Sequence, residues 1–312
     1  MAYLLTDINR RAQSDPVAFL AESDQNFHRH VCQAAEDILA NRKKSPIVLL
    51  SGPSGSGKTT TALKIEEELE RRGVMTHAVA LDNYFMTPDR VNGPKTPEGD
   101  YDYESPRCLD MELLDRHFSA LERGEEILVP QFDFTHQRRA EGEGTPLRLG
   151  KDEIAVFEGI HALNDDLAGQ HPSSFKVYIS ARSNVLRLGK VVFKGTWMRL
   201  TRRAVRDLNF RGTNVEETLA MWDNVRRGEK MFISPYKNRA NLIFDSSLPY
   251  EVNVLRQYAE PLFQAIPEEN VRRREILEMI WAFDRFVPID SELVAKDSLI
   301  REFIGGGSYD RH

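Results

Sequence analysis

The 312-residue sequence has few features of secreted, membrane or nucleic-acid-binding proteins. Only two cysteines are present, Cys32 and Cys108, so we expect no disulfide framework, and such sparse use is typical of a reducing compartment. No apolar run approaches the roughly 20 residues that a membrane-spanning helix needs. The formal net charge is −6, which argues against a generally basic surface for nucleic acid. We therefore expect a cytoplasmic protein that binds neither membranes nor nucleic acid.

Short apolar runs alternate with amphipathic segments along the chain. The predicted strands are 47–52, 76–82, 153–159, 175–181 and 240–247, and the predicted helices are 15–41, 58–72 and 110–124. Further along, 125–134 is predicted to be extended, 142–150 to be a hairpin-like turn, 187–222 to be charged and helical, and the chain beyond 250 to be helical. The segment 86–107 is rich in Pro, Gly and Asp and predicts a long functional loop. Alternating strands and helices predict an α/β fold of three layers, with a parallel sheet covered on both faces.

Residues 52–59, "GPSGSGKT", fit the pattern G-x-x-x-x-G-K-[ST] between a predicted strand and a predicted helix. Glycines at these places let successive backbone N–H groups point at phosphate oxygens, and the helix N-terminus adds partial positive charge. Lys58 is expected to reach the β- and γ-phosphates of ATP, and the Thr59 hydroxyl to bind Mg²⁺. The residues expected to bind the nucleotide are Gly52, Ser54, Gly55, Ser56, Gly57, Lys58, Thr59 and Thr60.

Two acidic residues end predicted strands, Asp82 in 76–82 and Glu158 in 153–159. No N-K-x-D segment is present, so a guanine-specific GTPase is disfavoured. A small-molecule kinase needs one carboxylate to accept the proton of the acceptor hydroxyl and another to help hold Mg²⁺. We therefore predict Asp82 as the general base, and Thr59, Glu158 and Asp82 as the metal-binding residues, although either acid alone could be a solvated strand end.

Several segments together resemble the uridine kinase/phosphoribulokinase group of P-loop kinases, across about residues 45–250. These segments are "GPSGSGKTT" (52–60), "LDNYFMTPD" (81–89), "YDYESPRCLD" (101–110), "VPQFDFTHQRR" (129–139), "VFEGIHALN" (156–164) and "RLTRRAVRD" (199–207). The resemblance implies a P-loop fold with a kinase domain at 45–250 and a helical lid at about 187–215. Helical extensions would then occupy 1–44 and 251–312.

The resemblance also implies roles for individual residues. Asp82 matches the general base, Asp102 the acid that binds ribose hydroxyls, and Arg203 a lid arginine near substrate and phosphate. Thr213 stands where the family has another substrate-binding arginine, and Arg211 is the neighbour that could compensate. Tyr84 either shapes the acceptor pocket or packs in the core. The remaining acceptor-side matches are Phe132, at a base-stacking position, His136, near a base-reading histidine, and Arg138.

Four arginines recur in the predicted lid at i, i+3, i+4 and i+7, namely Arg199, Arg202, Arg203 and Arg206. On a helix they share one face, where like charges repel unless an anion lies opposite. We predict that Arg199 and Arg206 contact the nucleotide, and that Arg203 acts on the transferring phosphoryl group. A solvated face, or one paired with acids, is the competing interpretation.

These observations predict an ATP- and Mg²⁺-dependent kinase that phosphorylates a sugar hydroxyl of a nucleoside, the ribose 5′-hydroxyl of a uridine- or cytidine-like acceptor. A phosphoribulose- or pantothenate-like acceptor is one alternative, and a nucleotide-dependent regulatory ATPase is another. The expected partner is a small nucleoside or sugar substrate. The sequence leaves open whether the chain forms a homo-oligomer.

Overall fold

The computed structural model describes residues 2–309, with the side chains of Glu141 and Glu143 left out. In chain order the strands are β1 (Ala2–Leu4), β2 (Ile47–Ser51), β3 (Thr76–Ala80), β4 (Ile127–Asp133), β5 (Arg138–Leu147), β6 (Ile154–Glu158), β7 (Phe175–Ser180), β8 (Asn184–Arg187), β9 (Lys190–Phe193) and β10 (Leu242–Asp245). The α-helices are α1 (Leu5–Ser14), α2 (Pro16–Asn41), α3 (Lys58–Arg71), α4 (Met111–Glu122), α5 (Asp165–Ala168), α6 (Gly195–Arg211), α7 (Val215–Gly228), α8 (Glu251–Gln264), α9 (Arg273–Phe283) and α10 (Arg301–Ile304).

The central sheet has five parallel strands in the order β10–β7–β2–β6–β3. Its middle strand β2 is buried along its whole length, because its alternate side chains enter two different cores. Val48 and Leu50 join one apolar cluster, whereas Ile47 and Leu49 join the other. A parallel sheet covered on both faces needs such continuous apolar strands, and this confirms the predicted fold class.

The terminal helices share one apolar cluster with the phosphate-loop helix α3. Helix α2 packs along α3, and its start is fixed by Asp15, whose carboxylate accepts the N–H of Ala18. At the other end, the Tyr250 hydroxyl donates to Asp24 on α2 and contacts the Ser298 hydroxyl. These contacts tie the first and last segments of the chain to the central sheet. Within residues 2–309, no helix has the length and apolar character needed to cross a bilayer.

Two predicted segments differ in the structure. Residues 187–193 were predicted to be helical but belong to the antiparallel pair β8–β9, because valines flank a Leu188-Gly189 turn in which both residues have positive φ. Residues 142–147 were predicted to be a turn but belong to β5, which pairs with β4. The β4–β5 hairpin therefore turns earlier, at 134–137.

Candidate active site

The phosphate loop connects β2 to α3 at the carboxyl edge of the sheet, where parallel α/β sheets bind ligands. Gly52 has no room for a side chain, because an added Cβ would lie 2.0 Å from the carbonyl oxygen of Ile179. Gly57 immediately precedes α3 with φ +76°, and its position offers no side-chain cap for the helix. The first turn of α3 thus offers backbone N–H groups to an anion, and this loop fits the phosphates of a nucleotide.

Two arginines of α6 hold the loop from behind. Arg199 donates to the carbonyl oxygen of Ser54, and Arg202 donates to that of Gly55, both at 3.2 Å. Each guanidinium also pairs with a buried acid, Arg199 with Glu229 at 2.7 Å and Arg202 with Glu251 at 2.5 Å. Arg199 is thus held between the loop backbone and a carboxylate, and its contact with the nucleotide stays a prediction.

A third buried acid, Asp207, lies close to the remaining arginines of this face. It pairs with Arg206 at 2.6 Å and Arg203 at 3.1 Å, and lies 3.8 Å from Arg211. Arg206 is buried beside this carboxylate, and its contact with the nucleotide stays a prediction. Arg203 reaches forward and donates to the Ser54 hydroxyl at 2.8 Å, while the Arg211 side chain is 55% exposed. Of this arginine set, Arg203 and Arg211 also lie near the acids of the candidate site, Arg203 near Glu104 and Arg211 near Asp82.

The predicted acids at the strand ends meet Lys58. The Lys58 Nζ lies 3.9 Å from Glu158 Oε1. Burial raises the pKa of the Glu158 carboxyl to about 7, and the charge of Asp82 raises it further while Lys58 opposes the shift. Asp82 lies on the short turn Leu81–Tyr84 after β3, and its side chain is exposed. Partial loss of water around its carboxyl raises the pKa of that group, whereas the positive charges of Lys58 and Arg211 oppose the shift.

The oxygen donors at this place fit Mg²⁺. The Thr59 side chain, in the first turn of α3, is exposed at the mouth of the phosphate loop. Asp82 and Glu158 are close enough that the charge of the first raises the pKa of the second. Hydroxyl and carboxylate oxygens are the donors that Mg²⁺ selects, and a divalent cation would relieve this repulsion.

Sequence reasoning missed Glu104. Burial raises the pKa of its carboxyl to about 7; Arg203, Lys58 and Arg227 oppose the shift, and Asp102 adds to it. Its side chain lies against Gly228, where an added Cβ would be 2.4 Å from Glu104 Cβ. The sequence signal was present, because Glu104 is the acid two positions before Pro106 in "YESP".

The structure places Asp102 differently from the prediction. Its side chain is 3% exposed and pairs with Arg227 at 2.6 Å, and Asn224 donates to its other oxygen at 3.4 Å. That oxygen also accepts the backbone N–H of Glu104 at 3.2 Å. Both oxygens of Asp102 thus accept hydrogen bonds from the protein, and its contact with the acceptor hydroxyls stays a prediction. Glu104 is the carboxylate of this loop that lies near Lys58 and Arg203.

The other acceptor-side predictions fall on or near the β4–β5 hairpin. Tyr84 is fully buried and its hydroxyl bonds to His117 Nδ1 at 2.9 Å, so of the two alternatives the structure shows core packing. Phe132 is 8% exposed and packs on Phe85 and the exposed Phe134. Phe132 thus supports the exposed ring of Phe134, and base stacking by Phe132 stays a prediction.

His136 and Arg138 are both exposed, at and just after the hairpin turn. The Nδ1 of His136 lies 2.6 Å from Asp133 Oδ2. An open cavity of about 890 Å³ lies at this turn and is lined by Asp133, Phe134 and Arg138. A polar and aromatic hairpin therefore lies beside the long loop 86–107, as Tyr103 on that loop donates to Gln137.

Comparisons with known proteins agree with this geometry. The sequence model of the phosphoribulokinase/uridine kinase family matches residues 47–252, more than half of the chain. A uridine kinase of Ureaplasma urealyticum is 28% identical over 201 residues, covering 64% of this chain and 87% of the relative. A uridine kinase of Halobacterium salinarum is 28% identical over 211 residues, covering 67% and 84%.

Among solved structures, a provisionally named fructose transport system kinase of Silicibacter sp. TM1040 superimposes with a TM-score of 0.50 at 19% identity. The match covers 69% of this chain and 98% of that one, and it shows the shared fold. The phosphate loop, the five-stranded parallel sheet and the family match agree: the chain belongs to the phosphoribulokinase/uridine kinase family.

Proposed function

We propose that this protein is an ATP- and Mg²⁺-dependent kinase that transfers the γ-phosphoryl group to a sugar hydroxyl of a nucleoside, with the ribose 5′-hydroxyl of a uridine- or cytidine-like acceptor as the first candidate. The observation that carries the proposal is the meeting of Lys58, Asp82 and Glu158 at the mouth of the phosphate loop. The relatives named uridine kinase support the choice of acceptor.

In the proposed reaction, the oxygen of the acceptor hydroxyl bonds to the γ-phosphorus of ATP, and Asp82 accepts the proton of that hydroxyl. The bond from that phosphorus to the β–γ bridging oxygen breaks, and ADP leaves. A raised pKa makes the Asp82 carboxylate a stronger base than a solvated aspartate. Thr59 and Glu158 would hold Mg²⁺, which would supply positive charge against the negative charge that develops on the phosphate oxygens.

Three cationic side chains are placed to stabilise the transferring group. Lys58 lies beside Glu158, Arg203 is held at the Ser54 hydroxyl, and Arg211 lies near Asp82. We propose that these three contact the phosphates and that Glu104 accepts hydrogen bonds from the other acceptor hydroxyls. Preorganised cations of this kind contribute to rate because they need no rearrangement as charge develops.

A panel of nucleosides and sugars tests the proposal. Each compound is incubated with the protein, ATP and Mg²⁺, and both ADP release and the phosphorylated product are measured. We expect ADP release to be stimulated by one class of acceptor, with one phosphate found on that acceptor. Acceptor-independent hydrolysis would instead identify a regulatory ATPase, and stimulation by a phosphorylated or non-nucleoside acceptor would identify another branch of the family. Asp82→Asn is the control for phosphate transfer by this site.

We also propose that 45–250 forms the kinase domain, that 1–44 and 251–312 are helical extensions of it, and that the protein works in the cytoplasm. The family match at 47–252 supports the first part. Neither Cys32 nor Cys108 forms a disulfide, which fits a reducing compartment.

A further inference from the structure

The segment Asp297–Gly306 lies beyond the family match and packs against the phosphate loop. Leu299 lies against Gly57, where an added Cβ would be 2.8 Å from the Leu299 Cδ1. Phe303 is fully buried with the guanidinium of Arg202 5.1 Å from its ring centre, and its carbonyl oxygen accepts from Asn209 at 3.1 Å. This segment is therefore a fixed neighbour of the nucleotide site.

Within this segment, Glu302 contacts the first turn of α3. Its Oε2 accepts the backbone N–H of Thr60 at 3.2 Å. Thr60 is the third residue of the helix, and N–H groups of a first helical turn are those that bind phosphate oxygens in a phosphate loop. The charge of Glu302 also reaches the reaction centre, because it raises the pKa of the Glu158 carboxyl.

We propose that Glu302 competes with nucleotide phosphate for the backbone N–H of Thr60. Its carboxylate accepts this N–H in the nucleotide-free protein, and the hydrogen bond must break when a nucleotide binds. The proposal rests on the nucleotide binding that the proposed function requires. Glu302 offers the same chemistry as a phosphate, an anionic oxygen at a helix N-terminus, but it is tethered and always present. The C-terminal segment therefore lowers the affinity of the loop for nucleotides and limits occupancy by weakly binding anions.

Two variants separate the charge of Glu302 from its hydrogen bond. Glu302→Gln keeps an oxygen that can accept the Thr60 N–H and removes the negative charge. Glu302→Ala removes both. Asp297→Asn is the matched control, because it makes the same charge change in the same segment, where Asp297 is 64% exposed and pairs with Lys64 on the side of α3.

Calorimetric titration with ADP, at one pH and low ionic strength, measures the effect. We expect Glu302→Gln to bind ADP about fivefold tighter than the wild type, from the removal of one like charge about 5 Å from the phosphates in a solvated cleft. Glu302→Ala should bind at least as tightly as Glu302→Gln, and Asp297→Asn should stay within twofold of the wild type. The gain should shrink at 0.5 M salt, because exposed charges are screened there.

Equal or weaker ADP binding by both Glu302 variants would overturn the competitor role, since it would mean that Glu302 is neutral toward the nucleotide or holds it. A wild type that binds ADP and phosphorylates an acceptor, with no gain in Glu302→Gln, would overturn this inference alone. A wild type that binds neither ADP nor ATP would overturn the proposed function together with it. Melting temperatures of all four proteins establish that each is folded, and Glu302→Gln decides the outcome if Glu302→Ala is not.

Discussion

Glu104 provides the sharpest test of the acceptor site, because sequence resemblance points to Asp102 and the structure points to Glu104. In the structure, Asp102 is buried on Arg227, whereas Glu104 is half-buried near Lys58 and Arg203. We expect Glu104→Gln to lower kcat/KM for the acceptor and to leave the melting temperature close to that of the wild type. We expect Asp102→Asn to lower the melting temperature and to change kcat/KM for the acceptor much less.

The magnitudes follow from the contacts. A hydrogen bond to a charged group contributes about 1.5–3 kcal/mol, so losing the Glu104 charge should reduce kcat/KM by about 10- to 150-fold. Asp102→Asn leaves Arg227 without its carboxylate. Because the Arg227 side chain is 23% exposed, the cost should be about 2 kcal/mol, below that of a fully buried pair, which lowers the melting temperature by about 3–6 °C.

The pH dependence gives a second readout of the same variant. The pKa of the Glu104 carboxyl is raised to about 7, so the ionised form that accepts hydrogen bonds accumulates as the pH rises through 7. The kcat/KM for the acceptor, measured at saturating ATP and Mg²⁺, should therefore rise through that range. Glu104→Gln should remove the part of this rise that Glu104 contributes, so that the ratio of wild type to variant is larger at pH 8 than at pH 6. The Glu158 carboxyl, whose pKa is also about 7, is present in both proteins.

Steady-state kinetics with coupled detection of ADP, together with thermal unfolding, checks all of these values. The reasoning fails if Glu104→Gln keeps kcat/KM within twofold of the wild type. It also fails if Asp102→Asn loses acceptor efficiency at an unchanged melting temperature, because Asp102 would then be the acid that contacts the acceptor.

Three further predictions concern the base, the loop and the acid stability of the fold. Asp82→Asn should lower kcat by about 10²–10⁴-fold, because one positioned base is lost, while ADP affinity measured by calorimetry stays within about threefold. Arg202→Met and Glu251→Gln should each lower the free energy of unfolding by about 3–5 kcal/mol in urea titrations, because each leaves a fully buried charge unpaired. Glu68→Gln should cost about 1 kcal/mol at pH 7, discounted because the partners Arg71 and Arg72 are partly exposed. Arg71 and Arg72 lower the pKa of Glu68 from 4.5 to about 2, so its contribution should be complete above pH 4.5 and disappear as the pH falls toward 2.

Each of these has an outcome that would contradict it. An Asp82→Asn variant with full kcat would remove the general base from the mechanism. For the buried pair, the double variant Arg202→Met/Glu251→Gln should lose less stability than the sum of the single variants, and additive losses would show that the two side chains are independent. A cost of Glu68→Gln that stays the same from pH 7 to pH 3 would contradict the ion pairing of Glu68.

Local sequence was sufficient for the phosphate loop and for the strands that position it. The pattern of residues 52–59 depends on backbone conformations that only glycine adopts easily, and the apolar runs around it match the five strands of the sheet. Asp82 and Glu158 could be placed at one edge for the same reason, because parallel strands bring their carboxyl ends together. Where the pattern was weaker, at 187–193, a charged segment was interpreted as helix although it belongs to the antiparallel pair β8–β9.

The arginines show what local sequence could not decide. Their spacing put four cations on one helical face, but the acids that pair with Arg199 and Arg202 lie on other elements, Glu229 after α7 and Glu251 at the start of α8. Only the folded chain brings those acids under α6, so only the structure separates the arginines that hold the loop from Arg203, which faces the cleft.

By itself, then, the sequence determined that a nucleotide-binding loop begins a helix in a parallel α/β sheet, because those signals lie within a few consecutive residues. Tertiary structure alone showed that Asp102 pairs with Arg227, which is 125 residues away in the chain. It also decided the position of Glu302 on Thr60, 242 residues away in the chain. A carboxylate is bound or free according to the charges that surround it, and those neighbours are set by packing and not by sequence spacing.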